Sequence, residues 1–537
     1  LLTSISLTFV FVLLGGYIFY NTNILNAYWT ISEKEAYRLR YEQTLKPYEY
    51  LPQPKITAVT LDLELYPEKR SYMVEGTYEL TNTNKKTIEE IHIQKLIASH
   101  VTLTDVTFEG GALEDNRYEE FEYRIYKLNQ PLLPNSTIKM RFKQSYLPKG
   151  FEDNTTDTKV VNNGTFFNNS VFPTLGYNKK YELQDPDVRN SYNLPVRADK
   201  AKMDDKQELV NARSGGDSDG TTLDITIGTS ANQTAVTSGK LIRQWKDKNR
   251  NYFHYKTDAS IINFYAVVSA EYEVRKDRWK ANDSLENDVE LAIFHHKGHE
   301  YNVDRMMDGL KASLSYYSEH FGPYQYQQLN IMEFPRYGDF AQSFPGAIPF
   351  SESLGFVLDI DDETDVDMAF YVTAHEVAHQ WFGMQVEGAN VQGRNFILET
   401  LSQYGAIMVL KCNYSKEKVD QFLALQKEMY DEKRRKAISE PSLALVENED
   451  HVHYNKGVIN MYKLQELIGE EQVNKALQAF IKDWRSYTGI KKTQTNRYAT
   501  SQDLLEYFRA VTPTDLKHVV HDLFESNNQL ASLGKQS

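Results

Sequence analysis

Cysteine is almost absent: Cys412 is the only one in 537 residues. A single thiol excludes an intramolecular disulfide framework and any cysteine-based metal centre, and it leaves the redox compartment open. Basic charge is also in short supply. Lys and Arg number 60 against 74 Asp and Glu, a formal net charge of −14, with a pI near 5.5. That balance argues against nucleic acid as a partner. Internal repeats are absent too, and charge of either sign is missing from residues 1–32, "LLTSISLTFVFVLLGGYIFYNTNILNAYWTIS". What is present is the composition of a folded chain, 41% hydrophobic and 25% charged, long enough for about three domains.

Residues 7–20 are strongly apolar, and with their flanks they reach the ~20 residues a bilayer-spanning helix needs. A signal peptide would want a basic start and a small-residue cleavage site, and neither is evident. A buried core helix would rarely lack charge over such a length. We therefore expect a transmembrane segment and its flank over 1–32. The charges that follow (Glu33, Lys34, Glu35, Arg38, Arg40) are of both signs, so the orientation is not readable. The chain opens without methionine and stops at "LASLGKQS", and both features lead us to expect a piece of a longer protein.

The expected fold class is α+β and multidomain. Residues 33–54 read as a juxtamembrane helix and linker, stopped by "YLPQPK" because proline cannot continue a helix. Residues 55–273 carry strand signals: "ITAVTLDLELYP" and "SYMVEGTYELTN" alternate apolar and polar residues between turns. This predicts an antiparallel, sandwich-like β domain, with long surface loops in the Asn-, Ser- and Gly-rich part of 150–240. Residues 274–530 turn mostly helical, with three-to-four spacing over 302–322 and an acid-led stretch, 362–383, that closes on Gly383. Helical patterns continue over 399–412, 416–435, 454–468, 471–481 and 501–508.

Inside the acid-led stretch lies His375-Glu-Val-Ala-His379. A chance pentapeptide of this form has odds of roughly 2% in such a chain, so the motif alone decides little. On a helix the two histidines lie one turn apart on one face, and both imidazoles can reach one ion. Zinc accepts nitrogen and oxygen ligands, and a catalytic site takes three from the protein. Glu399 in "ILETLSQYGAIMVL" offers the third, with 19 residues between it and His379 (Gln380 to Leu398) and three glycines to turn the chain back. Glu376 lies off the ligand line but close enough to act as general base, because zinc lowers the pKa of a water to ~7.

HEVAHQWFG followed by Leu398, Glu399 and Tyr404 resembles the aminopeptidase N family of zinc metallopeptidases, the gluzincins. "FGPYQYQQLNIMEFP", "VHYNKGVINMYKLQELIG" and "SVFPTLGY" are similar to further segments of that family, so the likeness runs from about residue 55 to 525. The resemblance implies a thermolysin-like catalytic fold, one Zn(2+) per chain and a peptide substrate. It makes Tyr454 the donor to the oxyanion of the tetrahedral intermediate and Glu352, with Gly346 and Ala347, the site that binds the substrate's α-ammonium.

Two departures stand out. The spacing to the third ligand is one residue longer than the family's usual, and Gly346-Ala347-Ile348 is followed by Pro349 where the family has glutamate, so Glu352 stands as a displaced equivalent. These departures and the uncharged N-terminus resemble a bacterial branch in which the peptidase domain follows the last membrane helix of an ABC-transporter permease. That branch implies the bacterial inner membrane and an ABC-transporter ATPase subunit as partner. A permease domain that binds or processes the transported peptide, with reduced or no peptidase activity, is the alternative reading.

Other histidine pairs are weaker. His295 and His299 in "FHHKGHE" are four apart, but Gly298 and the strand before them argue against a helix. His518 and His521 lack a third ligand. His451 and His453 lead into Tyr454 and are expected to shape the site without binding metal. The 36 tyrosines are expected to pack.

Overall fold

The computed structural model of the chain describes residues 2–98, 100–152, 157–212, 220–281, 288–437, 439–485 and 497–527. Parts of the loops expected in 150–240 (153–156 and 213–219), together with Leu1 and 528–530, lie outside the described residues. Leu2–Phe19 is an α-helix without one buried residue, and it runs on through a π-turn, Tyr20–Leu25. These 24 residues are long and apolar enough to cross a membrane. Asn26 fastens the base of this helix to the β region: its Nδ2 donates to the carbonyls of Lys149 (2.9 Å) and Phe151 (3.1 Å). Thr30 and Glu33 then form a reciprocal capping box, which satisfies the free N–H groups that start the Ile31–Leu45 helix. Its Tyr37, Tyr41 and Leu45 bury against Phe121, Tyr123 and Tyr177.

The β region holds an eight-stranded sheet and two smaller ones. Burial alternates along Ser71–Thr81, as expected where one face of a strand meets a core. Lys55–Tyr66, Ser71–Thr81, Thr137–Tyr146 and Val101–Phe108 pair antiparallel in that order. One pairing departs from the antiparallel expectation: Lys55–Tyr66 runs parallel to Gly220–Ser230. The long intervening chain makes the return that a parallel neighbour requires. Leu61, Tyr72, Phe142, Ile225 and Val268 are among the residues that close the core between the sheets.

Beyond lies a mixed four-stranded sheet. Tyr272–Lys280 is antiparallel to Asp288–His296, which runs parallel to Gln328–Phe334 and through it to Ala347–Ser351. Helices Val303–His320, Met368–Ala378, Leu401–Asn413 and Gly457–Ile468 pack their apolar faces into one core with this sheet. The helix expected over 362–383 is shorter, Met368–Ala378. Asp361 accepts from the N–H groups of Glu363 and Thr364, so the leading acids make a turn of their own. Asp367 caps the helix through the Phe370 N–H at 2.9 Å. At the other end His379 is the C-cap residue and keeps helical angles, φ −60° and ψ −19°, so it stays one turn above His375.

Candidate metal centre and active site

The structure gathers three ligand atoms. His375 Nε2 and His379 Nε2 are 3.1 Å apart, and Glu399 Oε2 lies 3.5 Å from each. Zinc–ligand bonds of 2.0–2.2 Å in a tetrahedron set ligand atoms roughly 3.3–3.6 Å apart, so the triangle has the size of a zinc face. The environment agrees. Glu399 Oε2 is buried with no hydrogen-bond partner among the described residues, a costly state for a carboxylate without a cation. Burial alone would raise the Glu399 carboxyl, but the two imidazoles hold it well below the ordinary carboxylate range. Burial likewise works to lower His379, and the Glu399 carboxylate overrides it, raising the imidazole to about 9. The donors are primed for a cation.

Neighbouring groups fix the His379 tautomer. The Ser402 hydroxyl donates to the Leu398 carbonyl at 2.7 Å, leaving its lone pair to face His379 Nδ1 at 3.0 Å. The Phe382 carbonyl faces the same nitrogen at 3.1 Å. Two acceptors hold a proton on Nδ1, so Nε2 is the nitrogen that binds metal once it gives up its own proton. Glu376 is buried, with Oε2 unpartnered among the described residues. One of its oxygens lies within 4.8 Å of a ring nitrogen of each histidine, and burial raises its pKa.

Glu399 and Tyr454 both sit in single π-turns, Phe396–Thr400 and His451–Lys456, that open the helices behind them. Such turns are frequent at functional sites because the extra residue re-aims side chains. Tyr454 packs its ring 6.0 Å from His375 and 4.4 Å from His453. Its phenol is pushed up by burial and by the Glu399 charge, so it stays a proton donor at neutral pH. Asn455 donates to Gln426 Oε1 at 2.7 Å, and Lys456 reaches the buried Glu440 at 2.5 Å. Tyr454 is thus held on one flank by two buried polar contacts.

Comparison with known proteins finds relatives for the part of the chain that holds these residues. Residues 305–522 match the Peptidase family M1 domain, a span that holds both histidines, Glu376, Glu399 and Tyr454. This part of the chain is thus similar to the peptidase domain of family M1. The chain is similar to human endoplasmic reticulum aminopeptidase 2, 27% identical over 191 residues, which is 33% of this chain and 19% of that protein. It is also similar to probable aminopeptidase 1 of Sulfurisphaera tokodaii, 39% identical over 77 residues, 14% of this chain and 9% of that one. The matched part therefore spans less than a fifth of either curated relative. Among solved structures, the M1 zinc metallopeptidase from Deinococcus radiodurans superposes with a TM-score of 0.62 at 13% identity, covering 91% of this chain and 97% of that one. A mutant of an M1 zinc metallopeptidase from the same organism, bound to a Tyr-Ser-Ala substrate, gives 0.59 at 15%, covering 89% and 95%. At such identity the likeness is one of fold: an α+β multidomain chain with β-rich domains ahead of a helical M1 domain.

Within the matched span the segment after Phe334 folds into a hairpin, with Ala341 opposite Phe350 and Phe344 opposite Ala347. Its turn meets the metal helix through Gln380, the residue after His379. Gln380 Oε1 accepts from the Gly346 N–H at 3.0 Å, and its Nε2 donates to Ser343 Oγ (2.5 Å) and the Phe344 carbonyl (3.0 Å). Gly346 has φ +65°, and a Cβ there would lie 2.8 Å from the Gln328 side chain, so glycine is required at the turn. Gly346 is thereby tied to the residue that follows the second histidine. Glu352 lies past the other end of the strand. Its Oε1 accepts from the Arg336 N–H at 3.0 Å, its Oε2 is 3.9 Å from His299, and no ion pair joins it to the metal triad among the described residues. Spacing gave no cue to Ser402 or Thr400, and Gln380 was marked only by its place after the second histidine.

Proposed function

We propose that this chain is a membrane-held zinc metallopeptidase of aminopeptidase type that hydrolyses N-terminal residues of peptides. The observation that carries the reading is the triangle of His375, His379 and Glu399 with the buried Glu376 carboxylate beside it. When bound, zinc supplies Lewis acidity, making a water acidic and polarising the scissile carbonyl. The chain's own groups do the rest. Glu376, raised by burial, takes a proton from the attacking water and passes it to the departing amine. The Tyr454 hydroxyl donates to the carbonyl oxygen as charge develops there, a contact of the kind worth ~3–4 kcal/mol in the transition state. The hairpin turn at Gly346 and Ala347 lines the approach to the centre. Recognition of a free N-terminus is the role the family resemblance assigns to Glu352.

The exposed helix Leu2–Phe19 supports anchoring in a membrane, with the M1 domain standing off one face of it. It equally supports the narrower reading of a domain that follows a permease and acts on the peptide transported by it, with an ABC-transporter ATPase subunit as partner. Division of the chain at 32/33, 54/55 and 273/274 belongs to the same proposal. Paired peptides with free and acetylated N-termini test the activity. Release of the first residue from the free peptide alone, abolished by chelation, is expected. Equal cleavage of both would refute the exopeptidase role, and no chelator-sensitive cleavage of either would refute the peptidase.

A further inference from the structure

A second set of metal donors lies at the carboxyl ends of the three parallel strands. His296 ends Asp288–His296, Glu333 is next to last in Gln328–Phe334, and Glu352 follows Ala347–Ser351. His299 reaches in from the turn after His296. One ligand atom from each of the four falls within 4.8 Å of the others. His295, which the sequence pairs with His299, is instead on the opposite face of its strand with Glu273 and Glu300, as period-two alternation requires. The helical-spacing argument against "FHHKGHE" holds for His295, but it does not bear on His296.

The charges in this cluster do not balance. Glu333 is fully buried, with 0% side-chain exposure, and its ion-pair partners are the imidazoles of His296 (Nδ1 to Oε1, 3.4 Å) and His299. Its other oxygen accepts from the His296 N–H at 2.5 Å. Glu352 brings a second carboxylate 3.9 Å from His299. Among the described residues no Lys or Arg side chain pairs with either carboxylate; the Arg336 guanidinium turns to Asp339 at 3.4 Å. Two carboxylates whose counter-charges could come only from two titratable imidazoles leave negative charge in this site whenever an imidazole is neutral. Burying a charge without a counter-charge is expensive. A divalent cation would neutralise it and replace the His299–Glu333 hydrogen bond with shared coordination.

We propose that His296, His299, Glu333 and Glu352 form a second transition-metal site, separate from the catalytic one. Two imidazoles and two carboxylates suit Zn(2+) or Co(2+) and disfavour soft, thiolate-seeking ions. Glu333 and Glu352 bracket the hairpin whose turn touches Gln380. An ion here would therefore clamp the base of that hairpin while the catalytic ion sits beyond its tip. The inference goes beyond the peptidase reading and does not need it. Metal and substrate ammonium would compete for Glu352, so an occupied site would weaken recognition of a free N-terminus through that carboxylate.

The test is zinc stoichiometry of the full chain by elemental analysis after zinc loading and dialysis, with circular dichroism to check folding. Two zinc ions per chain are expected for the wild type, one for His299→Ala and one for His375→Ala. His299 is half exposed, so its removal opens no buried cavity, and Glu352→Gln provides a second variant that must also drop to one. A wild type holding a single ion, or variants of His299 and Glu352 that still hold two, would overturn the site. The His375→Ala count separates this outcome from a failure of the catalytic centre, because that variant loses only the ion of the M1 triad.

Discussion

Thr400 Oγ1 donates to the His453 carbonyl at 2.5 Å. This bond joins the residue after the third metal ligand to the residue before Tyr454, and so ties the two π-turns together. Gly457 makes room for it: a Cβ there would lie 2.6 Å from Thr400 Oγ1. Thr400→Val keeps the shape and removes the bond, at a net cost of ~0.5–1.5 kcal/mol. Zinc content at the triad should be unchanged, since the Thr400 side chain holds no ligand atom. The turnover number should fall by ~10–100-fold, because small misplacements of a catalytic group cost that much. Steady-state kinetics beside zinc analysis checks the split; an unchanged kcat would remove Tyr454 from the transition state.

Glu376→Gln separates proton transfer from metal binding. The substituted amide is nearly isosteric and uncharged, in a site where burial already disfavours charge. The variant should hold its triad zinc and melt no lower than the wild type. Its kcat should drop by ~10²–10⁴-fold, the usual contribution of a positioned acid–base group.

How far this was legible in the sequence differs from residue to residue. Period-two alternation marked Ser71–Thr81 because one face of that strand is buried, and three-to-four spacing marked Val303–His320 for the same reason. The early end of the metal helix was not legible. Asp361 competes locally for backbone N–H groups, and a composition-based reading counts the same acids as helix-favouring. The parallel pairing of Lys55–Tyr66 with Gly220–Ser230 is a long-range contact, and no local pattern carries it. At the site, the His375–His379 pair was plain because four-residue spacing is itself geometry. Glu333 looked like an ordinary strand residue, since nothing in "LNIMEFP" tells that the strand's end meets two histidines.

Glu440 is the buried counter-charge for the Tyr454 turn. It takes Lys456 at 2.5 Å, with both side chains 2% exposed, Arg434 at 3.1 Å and the Tyr430 hydroxyl at 3.0 Å. Glu440→Gln would leave Lys456 charged and uncompensated in the core, which typically costs ~3–5 kcal/mol. Denaturant unfolding should show that loss. Turnover measured well below the melting temperature should fall as well, since the turn that aims Tyr454 would lose its anchor. A variant as stable as the wild type would mean that Glu440 is not charged in the native chain.

Zinc uptake should be coupled to one proton. In the metal-free protein His379 is raised to about 9 by Glu399, so at neutral pH an incoming ion must displace the proton on Nε2. Glu399 is held well below the ordinary carboxylate range and is already ionised there, so it contributes no further proton. The sign follows: apparent zinc affinity should climb about tenfold per pH unit as pH rises towards 9 and level off above it. Acidification from pH 8 to pH 6 should weaken binding by about two orders of magnitude. Calorimetric titrations at pH 7 in buffers of different ionisation enthalpy would read the released proton directly, best in His299→Ala so that the triad alone is observed. Ser402→Ala provides the control on the cause. With one of the two acceptors at Nδ1 removed, the proton release should persist while the affinity drops, because Glu399 raises the imidazole and Ser402 only orients it. Release of no proton at pH 7 would mean that His379 is neutral before the metal arrives, and the charge pairing with Glu399 would then be too weak to prime the centre.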